Sequence, residues 1–257
     1  MSAGPLSGRG ILVTRPLDHA AGLAARIRAA GGDPILFPTI EILPLENPGA
    51  VSNLIARLDG FRLAIFVSPT AAARGYGMVR ASRGWPKSLR LAAVGAGTAS
   101  TLEDLGLGPV IVPAGEADSE ALAALPELQD LRGHSIVIFR GQGGREWLRT
   151  ALEARGVLVE YAECYRRVRP DADPGGLLAR WQSGGVEGVS ITSAEGLANL
   201  VGMLGPTGRG YLRATPVFVP HPRIAHAAQE LDVRKIVVTG RGDDRTVAEM
   251  AAFFAKV

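Results

Sequence analysis

The sequence predicts an α/β protein with two similar domains, each built around a doubly wound parallel sheet. Along the whole chain of 257 residues, short apolar segments typical of buried strands alternate with segments of helical periodicity. This alternation requires parallel sheets that are covered by helices on both faces. The pattern contains roughly ten strands, which is too many for one ordinary doubly wound sheet at this length and suits two sheets of about five strands.

The first two strands precede a proline-rich segment. Residues 10–14 and 34–38 are apolar runs, and the helical pattern between them ends at Gly31 and Gly32. Residues 39–48 are extended and interrupted by prolines, which predicts a linker. A separate unit therefore begins after this segment.

The strands of that second unit are predicted at residues 63–67, 90–94, 110–112, 135–139 and 156–161, with helices between them. Three arginines and Pro170 follow Tyr161, a composition typical of a crossover rather than of a core. We therefore expect the strand to end near Tyr161 and the chain to leave the unit there.

Three more strands follow Pro174, at residues 188–192, 217–219 and 236–238. Since two strands alone make a poor sheet, we expect these three to complete the sheet that the first two begin. The predicted organisation is given by these ranges: a discontinuous domain of residues 1–38 and 171–257, an inserted domain of residues 49–163, and interdomain linkers at 39–48 and 164–170.

An internal repeat supports this division into two domains. Residues 65–71 resemble residues 189–195, and residues 94–99 take the same place as residues 219–225. The two copies are out of phase along the chain, which is what the insertion of one domain into the other would produce.

Composition limits the kinds of partner. The net charge is +3 and no basic block is present, which argues against nucleic acid as a partner. The mild positive balance suits a small acidic ligand, although solubility alone also explains it. The single cysteine, Cys164, excludes an internal disulfide and a cysteine-rich metal site. The first ten residues lack the apolar run of a signal peptide and no stretch is long enough to span a membrane, so we expect a cytoplasmic protein.

Small polar and cationic residues follow the predicted strands. In open parallel sheets, ligands bind beyond the carboxyl ends of the strands, where helix N-termini present free N–H groups. The residues at these ends favour a ligand with many carboxylates or phosphates, although a helix cap is an equally good interpretation of any one of them. They include Arg15, Ser68, Thr70, Thr98, Arg140, Gly141, Ser193, His221 and Arg223.

Other kinds of site have weaker signals. Residues 94–100 suggest a dinucleotide loop, but Ser100 occupies the third glycine position and no acidic residue follows at the expected distance. Residues 141–145 lack the lysine and hydroxyl of a phosphate-binding loop. The four histidines have no metal-ligand spacing. Tyr165 is the best candidate for a proton or hydrogen-bond donor, and the alternative is an aromatic side chain packed between the domains.

Seven segments together carry a resemblance to a known family: ILVTRP at 11–16, FVSPTA at 66–71, VGAGTA at 94–99, RGQGGREWL at 140–148, CYRR at 164–167, ITS at 191–193 and HPRIA at 221–225. This ordered set resembles the uroporphyrinogen-III synthase family. The resemblance implies two flavodoxin-like α/β domains, one inserted in the other and joined by a two-stranded linker. It also implies a lyase of haem biosynthesis that cyclises the linear tetrapyrrole hydroxymethylbilane, with inversion of the last pyrrole ring and loss of water. The family uses no metal or other cofactor, and it suggests a monomer.

The resemblance also implies roles for individual residues. Tyr165 matches the tyrosine suspected of assisting departure of the substrate hydroxyl, whereas Thr70 stands where many relatives have asparagine. His221 lies in a segment that some relatives build with glycine and threonine. The candidate substrate-binding residues are Arg15, Ser68, Thr70, Thr98, Ala99, Arg140, Gly141, Arg145, Ser193, Ala194, His221 and Arg223.

Two alternatives to this function stay open at the level of the sequence. One is a non-catalytic two-domain protein that binds a small polyanion, since the same polar strand ends would serve binding without chemistry. The other is a nucleotide-dependent enzyme.

Overall fold

The computed structural model describes residues 4–115 and 118–256. The chain divides into two compact units, one of Met1–Glu41 with Val168–Val257 and one of Ile42–Arg167. The boundaries between the units fall within the two segments for which linkers are predicted.

The elements follow the chain in three blocks. The first block contains β1 (Gly10–Val13), α1 (Leu17–Ala29), β2 (Asp33–Leu36) and β3 (Glu41–Leu43). The second contains α2 (Gly49–Ala56), β4 (Leu63–Phe66), α3 (Pro69–Ser82), β5 (Arg90–Ala93), α4 (Ala96–Asp104), β6 (Val110–Ile111), α5 (Ser119–Ala124), β7 (Ser135–Gly141), α6 (Trp147–Glu153) and β8 (Leu158–Val168). The third contains α7 (Gly175–Gln182), β9 (Gly188–Ser190), α8 (Ala194–Ala214), β10 (Val217–Val219), α9 (Pro222–Glu230), β11 (Ile236–Val238) and α10 (Asp243–Phe254).

The first unit, hereafter unit 1, contains a five-stranded parallel sheet in the order β11-β10-β9-β1-β2. The three strands after Pro174 complete the sheet that β1 and β2 begin, as predicted. Strand β1 is buried along its whole length because helices cover both faces of the sheet. Two separate apolar clusters, one around Leu12 and Leu197 and the other around Ile11 and Leu23, form the two sides of this core.

The second unit, hereafter unit 2, contains a six-stranded sheet in the order β3-β8-β7-β4-β5-β6. Its central strands β7, β4 and β5 pair in parallel, and strand β4 is fully buried. As in unit 1, an apolar cluster covers each face of the sheet, one containing Phe66 and Phe139 and the other containing Ile65 and Leu152. The predicted class of two doubly wound α/β domains, one inserted in the other, is confirmed.

The predicted end of the last strand in unit 2 was wrong. Strand β8 continues through Val168, past the arginines at 166 and 167. Its pairing with β7 extends to Tyr165, and β3 is its neighbour on the other side in the sheet, so β8 stays a strand despite the charged side chains. The arginines are half-buried, and the guanidinium of Arg166 donates from Nε to the Pro44 carbonyl at 3.2 Å.

No helix in the described part of the chain has both the length and the apolar character that crossing a bilayer requires.

Helix α3 has one glycine packed on the sheet and one that is exposed, and substitution of each tests this packing. A Cβ atom on Gly75 would lie 2.6 Å from Cδ1 of Phe139, whose ring stacks on Phe66 with centroids 4.5 Å apart and cannot easily retreat. On the exposed side of the same helix, a Cβ on Gly77 would meet nothing within 4 Å. We expect Gly75→Ala to lower the free energy of unfolding by about 1–3 kcal/mol through overpacking. Gly77→Ala should raise it by up to about 1 kcal/mol through helix propensity. Urea denaturation measures both values, and equal stability of the two variants would contradict the packing.

Candidate functional site

In the described part of each unit, predicted site residues line a cavity that lies where parallel strands end. In unit 1 the cavity lies beyond β9 and β10 and has a volume of about 490 Å³; it is called the β9–β10 site. In unit 2 the cavity lies beyond β7 and beside β8 and has a volume of about 190 Å³; it is called the β7–β8 site.

The β9–β10 site is formed where helices α8 and α9 begin. Ser193 is the N-cap of α8, and its Oγ accepts a hydrogen bond from the Gly196 N–H at 3.0 Å. His221 is the N-cap of α9, and its Nδ1 accepts from the Arg223 N–H at 3.1 Å. The helix-cap interpretation therefore holds for both residues.

Capping leaves both side chains with a donor. The Ser193 hydroxyl keeps its proton, and a neutral imidazole that accepts at Nδ1 carries its proton on Nε2. The exposed guanidinium groups of Arg223 and Arg241 line the same cavity. Together with the positive ends of two helix dipoles, these groups make the β9–β10 site suitable for carboxylates.

A register shift determines the geometry of the β7–β8 site. Arg140 pairs with Glu163, but the next residue, Gly141, pairs with Tyr165, so that Cys164 is an extra residue on β8. Regular strand alternation would send Cys164 and Tyr165 to opposite faces of the sheet. The shift instead buries both in one apolar cluster. Bulges of this kind often re-aim a side chain beside a functional site.

Tyr165 reaches the cavity with its hydroxyl although the residue is only 4% exposed. Its Oη lies 3.3 Å from Oγ of Ser68. Ser68 is the N-cap of α3, where its Oγ accepts from the Ala71 N–H at 3.1 Å. Since that oxygen already accepts from Ala71, the Ser68 proton can be donated to Tyr165, which leaves the phenol proton available to a ligand.

Arg140 is 5% exposed and uses its donors within the protein. Its Nη1 donates to Oε1 of Glu146 at 2.8 Å, its Nε donates to the Gly141 carbonyl at 3.3 Å, and Nη2 donates to the Gly143 carbonyl. The guanidinium also lies 4.2 Å from the centre of the Tyr161 ring. Arg140 therefore braces the loop between β7 and α6.

Arg145 lines the same cavity but is about half exposed, with 46% of its side chain accessible. It forms an ion pair with Glu120 and lies 5.6 Å from the centre of the Trp147 ring. The bond from Arg145 holds the pKa of the Glu120 carboxyl below its usual range.

Four predicted site residues line neither cavity. Arg15 donates to Oδ1 of Asp243 at 2.7 Å. Thr98 and Ala99 are buried in the first turn of α4, and Thr70 is half-buried at the start of α3. The structure thus brings together two sets of predicted residues, with Ser68, Arg140, Gly141, Arg145 and Tyr165 in one and Ser193, Ala194, His221 and Arg223 in the other.

Among the residues that sequence reasoning missed are Tyr161, which lines the β7–β8 site, and Glu146, which lies beside it. Tyr161 donates from its hydroxyl to Oε2 of Glu146 at 2.8 Å, which completes the bracing of Arg140. Tyr161 pairs with Ile138 across the strands, so Arg140, two residues further along, is its diagonal neighbour on the same face. The contact between Tyr161 and Arg140 follows from the register of β7 and β8, which amino-acid composition does not reveal.

The environment of these side chains shifts their proton affinities. Burial, and next the bond to Glu146, raise the pKa of Tyr161 to about 12. The hydrogen bond from Tyr161, and next to it the bond from Arg140, hold the pKa of the Glu146 carboxyl below its usual range. Burial raises the pKa of the Cys164 thiol to about 12, so this cysteine stays protonated and unreactive near neutral pH.

Within residues 4–115 and 118–256, no group of three or more His, Cys, Asp or Glu side chains is arranged to hold a metal ion.

The Glu146 contacts predict a pH-dependent effect. Because the pKa of Glu146 is lowered in the folded protein, its carboxylate stabilises the fold above the ordinary value of 4.5, and this stabilisation is lost as the pH falls through the lowered value. We expect Glu146→Gln to have a lower melting temperature than the unmodified protein at about pH 7, and the gap to narrow at about pH 3. In a Tyr161→Phe background the gap should be smaller at neutral pH. Thermal melts followed by circular dichroism measure this difference in melting temperature. A difference that does not change with pH would contradict the lowered pKa of Glu146.

Comparison with known proteins agrees with this fold. The family model described as uroporphyrinogen-III synthase HemD matches residues 21–244. The chain is 34% identical over 236 residues to uroporphyrinogen-III synthase of Salmonella typhimurium, covering 91% of this chain and 96% of that protein. It is 33% identical over 236 residues to the enzyme of Escherichia coli, with the same coverage. A mutant uroporphyrinogen III synthase of Thermus thermophilus superposes with a TM-score of 0.67 over 97% of this chain and all of that chain, a likeness of fold at 19% identity. The chain belongs to the uroporphyrinogen-III synthase family.

Proposed function

We propose that this chain catalyses the uroporphyrinogen-III synthase reaction, in which hydroxymethylbilane is cyclised with loss of water and inversion of the last pyrrole ring. The observation that carries the proposal is the Tyr165 phenol, which is buried except at a cavity and hydrogen-bonded to a helix-capping serine. Family membership favours this enzyme over a non-catalytic binder of polyanions.

The β9–β10 site supplies binding groups for the substrate carboxylates. Hydroxymethylbilane carries eight carboxylates, and this site offers the positive ends of two helix dipoles, the Ser193 hydroxyl, the His221 Nε2–H and two exposed arginines. Charge-assisted hydrogen bonds from such donors to carboxylates are stronger than neutral ones. In this proposal, unit 1 holds the substrate by its acidic side chains.

Tyr165 assists the departure of the hydroxyl group. The electron-rich pyrrole pushes out the hydroxyl of the hydroxymethyl group, and a proton donated by the Tyr165 phenol turns that hydroxyl into water. Loss of water leaves a cationic azafulvenium, whose pyrrole N–H proton returns to the tyrosinate, so that the phenol is restored and the electrophilic azafulvene results. The substituted carbon of the last ring then attacks it to give a spiro intermediate, whose rearrangement inverts that ring.

Substrate conformation decides which product forms. The azafulvene also cyclises without an enzyme, but to the isomer in which the last ring is not inverted. The protein must therefore hold the chain so that the substituted carbon reaches the electrophile, which is a positioning effect. Proton donation by Tyr165 accelerates the loss of water in addition to this positioning effect.

The direct test is incubation of the purified protein with hydroxymethylbilane, followed by oxidation and separation of the porphyrin isomers. We expect mainly the type III isomer, whereas a reaction without protein gives type I. A product distribution equal to that of the protein-free reaction would overturn the proposed function.

The role of Tyr165 predicts separate effects on rate and on product. Tyr165→Phe removes the phenol proton but keeps the ring, so kcat should fall by about 10- to 100-fold, at the low end of general acid effects. The product should still be mainly type III, because the ring arrangement that positions the substrate is retained. Tyr76→Phe on α3, outside the site, is the matched control and should leave kcat unchanged. A variant that forms mostly type I would contradict this division of roles.

The two nitrogens of His221 can be tested separately. Asparagine keeps a side-chain acceptor for the cap of α9, but its amide donors lie on a shorter side chain and do not reach the position of Nε2, whereas alanine removes both groups. We expect both His221→Asn and His221→Ala to raise KM by about 3- to 10-fold, the loss of one hydrogen bond. Only the alanine variant should lose about 1 kcal/mol of stability in urea denaturation. An asparagine variant with unchanged KM would restrict His221 to its capping role.

Two further parts of the proposal are that the enzyme acts as a monomer and in the cytoplasm. Sedimentation velocity of the purified protein tests the first and fractionation of the source cells tests the second.

A further inference from the structure

Gly141 lies directly against the ring of Tyr165. A Cβ atom on Gly141 would be 2.6 Å from Cε2 and 2.7 Å from Cζ of that ring. Both distances are far below an ordinary van der Waals contact, which begins near 3.4 Å. The phenol therefore occupies space that any side chain at position 141 would fill.

The backbone of Gly141 does not itself require glycine. The neighbouring glycines in the loop after β7 have positive φ, +67° at Gly143 and +102° at Gly144, but Gly141 does not. Alanine can adopt the backbone conformation of Gly141 without strain. What requires glycine at this position is the close approach of the Tyr165 ring.

Packing against the apolar cluster limits how far the ring can retreat, although Tyr165 also lines the β7–β8 site. Tyr165 belongs to the apolar cluster that also contains Ala162 and Cys164, and its backbone carbonyl accepts from the Gln142 N–H at 2.8 Å. An ordinary contact with a new Cβ would require the ring to move by roughly 0.8 Å in a close-packed interior. Such a movement also changes the 3.3 Å contact between Tyr165 Oη and Ser68 Oγ.

We propose that Gly141 is a positioning residue for Tyr165: the missing side chain lets the phenol lie on the backbone of β7, with its hydroxyl held at Ser68. The register shift between β7 and β8 brings the two residues opposite each other. This inference rests on the proposed role of Tyr165 in the loss of water. It adds that the reaction depends on a residue that itself contributes no chemical group to that step.

The test compares Gly141→Ala with Gly77→Ala, a glycine-to-alanine change on α3 in the same unit where the new Cβ meets nothing. We expect Gly141→Ala to lower kcat by about 10-fold or more, because a displacement near 1 Å can cost up to about 100-fold in rate. KM should change by less than about 2-fold, since the carboxylate-binding groups of unit 1 are untouched. Gly77→Ala should leave both constants unchanged.

A double variant shows whether Gly141 acts through the phenol. If it does, Gly141→Ala combined with Tyr165→Phe should be no slower than the slower single variant, because the same proton donation is already lost. Multiplied effects in the double variant, or a Gly141→Ala enzyme with the kcat of the unmodified protein, would overturn the inference. A Tyr165→Phe enzyme with unchanged kcat would instead remove the proposed role of Tyr165.

Stability gives a second measurement that does not depend on activity. Gly141→Ala should lower the melting temperature when Tyr165 is present, and by a smaller amount in a Tyr165→Ala background, where the ring that clashes is absent. An equal loss in both backgrounds would show that the ring is not the constraint and would overturn the inference even if the single variant is too unstable to assay.

Discussion

The candidate active site depends on one extra residue in strand β8. With Cys164 inserted opposite the junction of Arg140 and Gly141, Tyr165 turns to the face that holds Ser68. The local loss of regular pairing is partly offset, because the Tyr165 carbonyl accepts from the Gln142 N–H. In a regular ladder Gly141 would face Cys164, and the phenol would lie on the other side of the sheet. The register of β8 therefore places the Tyr165 hydroxyl beside Ser68, which a change of side chain at one position could not do.

The arginines near the sites differ in how easily a ligand could use them. The Arg145–Glu120 pair is exposed, and such pairs contribute about 0–1 kcal/mol, so a substrate carboxylate can replace Glu120 at little cost. Arg140 is buried, stacks on Tyr161 and donates to backbone carbonyls, so taking it away from Glu146 would disturb the loop. In the proposed reaction, exposed cations and helix N-termini would bind the substrate carboxylates, while the buried arginine maintains the shape of the cavity.

The fold was predictable from the sequence because fully buried parallel strands leave continuous apolar runs, as at β1 and β4, between helical periods. The general position of the site followed from the polar residues at the strand ends. The contacts between individual residues could not be predicted from the sequence, because they depend on strand register and on residues that are far apart in the chain. The charged residues after Tyr161 indicated a crossover, yet they belong to β8, which lies between β7 and β3 in the sheet. Similarly, the partner of Arg15 is Asp243, more than two hundred residues away in the chain.

Because the two units repeat the same fold, the two sites share a backbone arrangement in which a strand end is followed by a serine-capped helix. They differ in the side chain that lies beside the serine. Ser68 and Ser193, which stand one residue out of register in the sequence repeat, cap their helices in the same way, each accepting from the N–H three residues later. In unit 2, strand β8 brings the phenol of Tyr165 into hydrogen-bond contact with Ser68. In unit 1 the segment after β2 brings Thr39, which is fully buried and donates its hydroxyl to the Thr14 carbonyl. A short side chain whose proton is donated to the backbone has none to offer a ligand, so the two serine caps have different neighbours, a phenol in unit 2 and a threonine in unit 1.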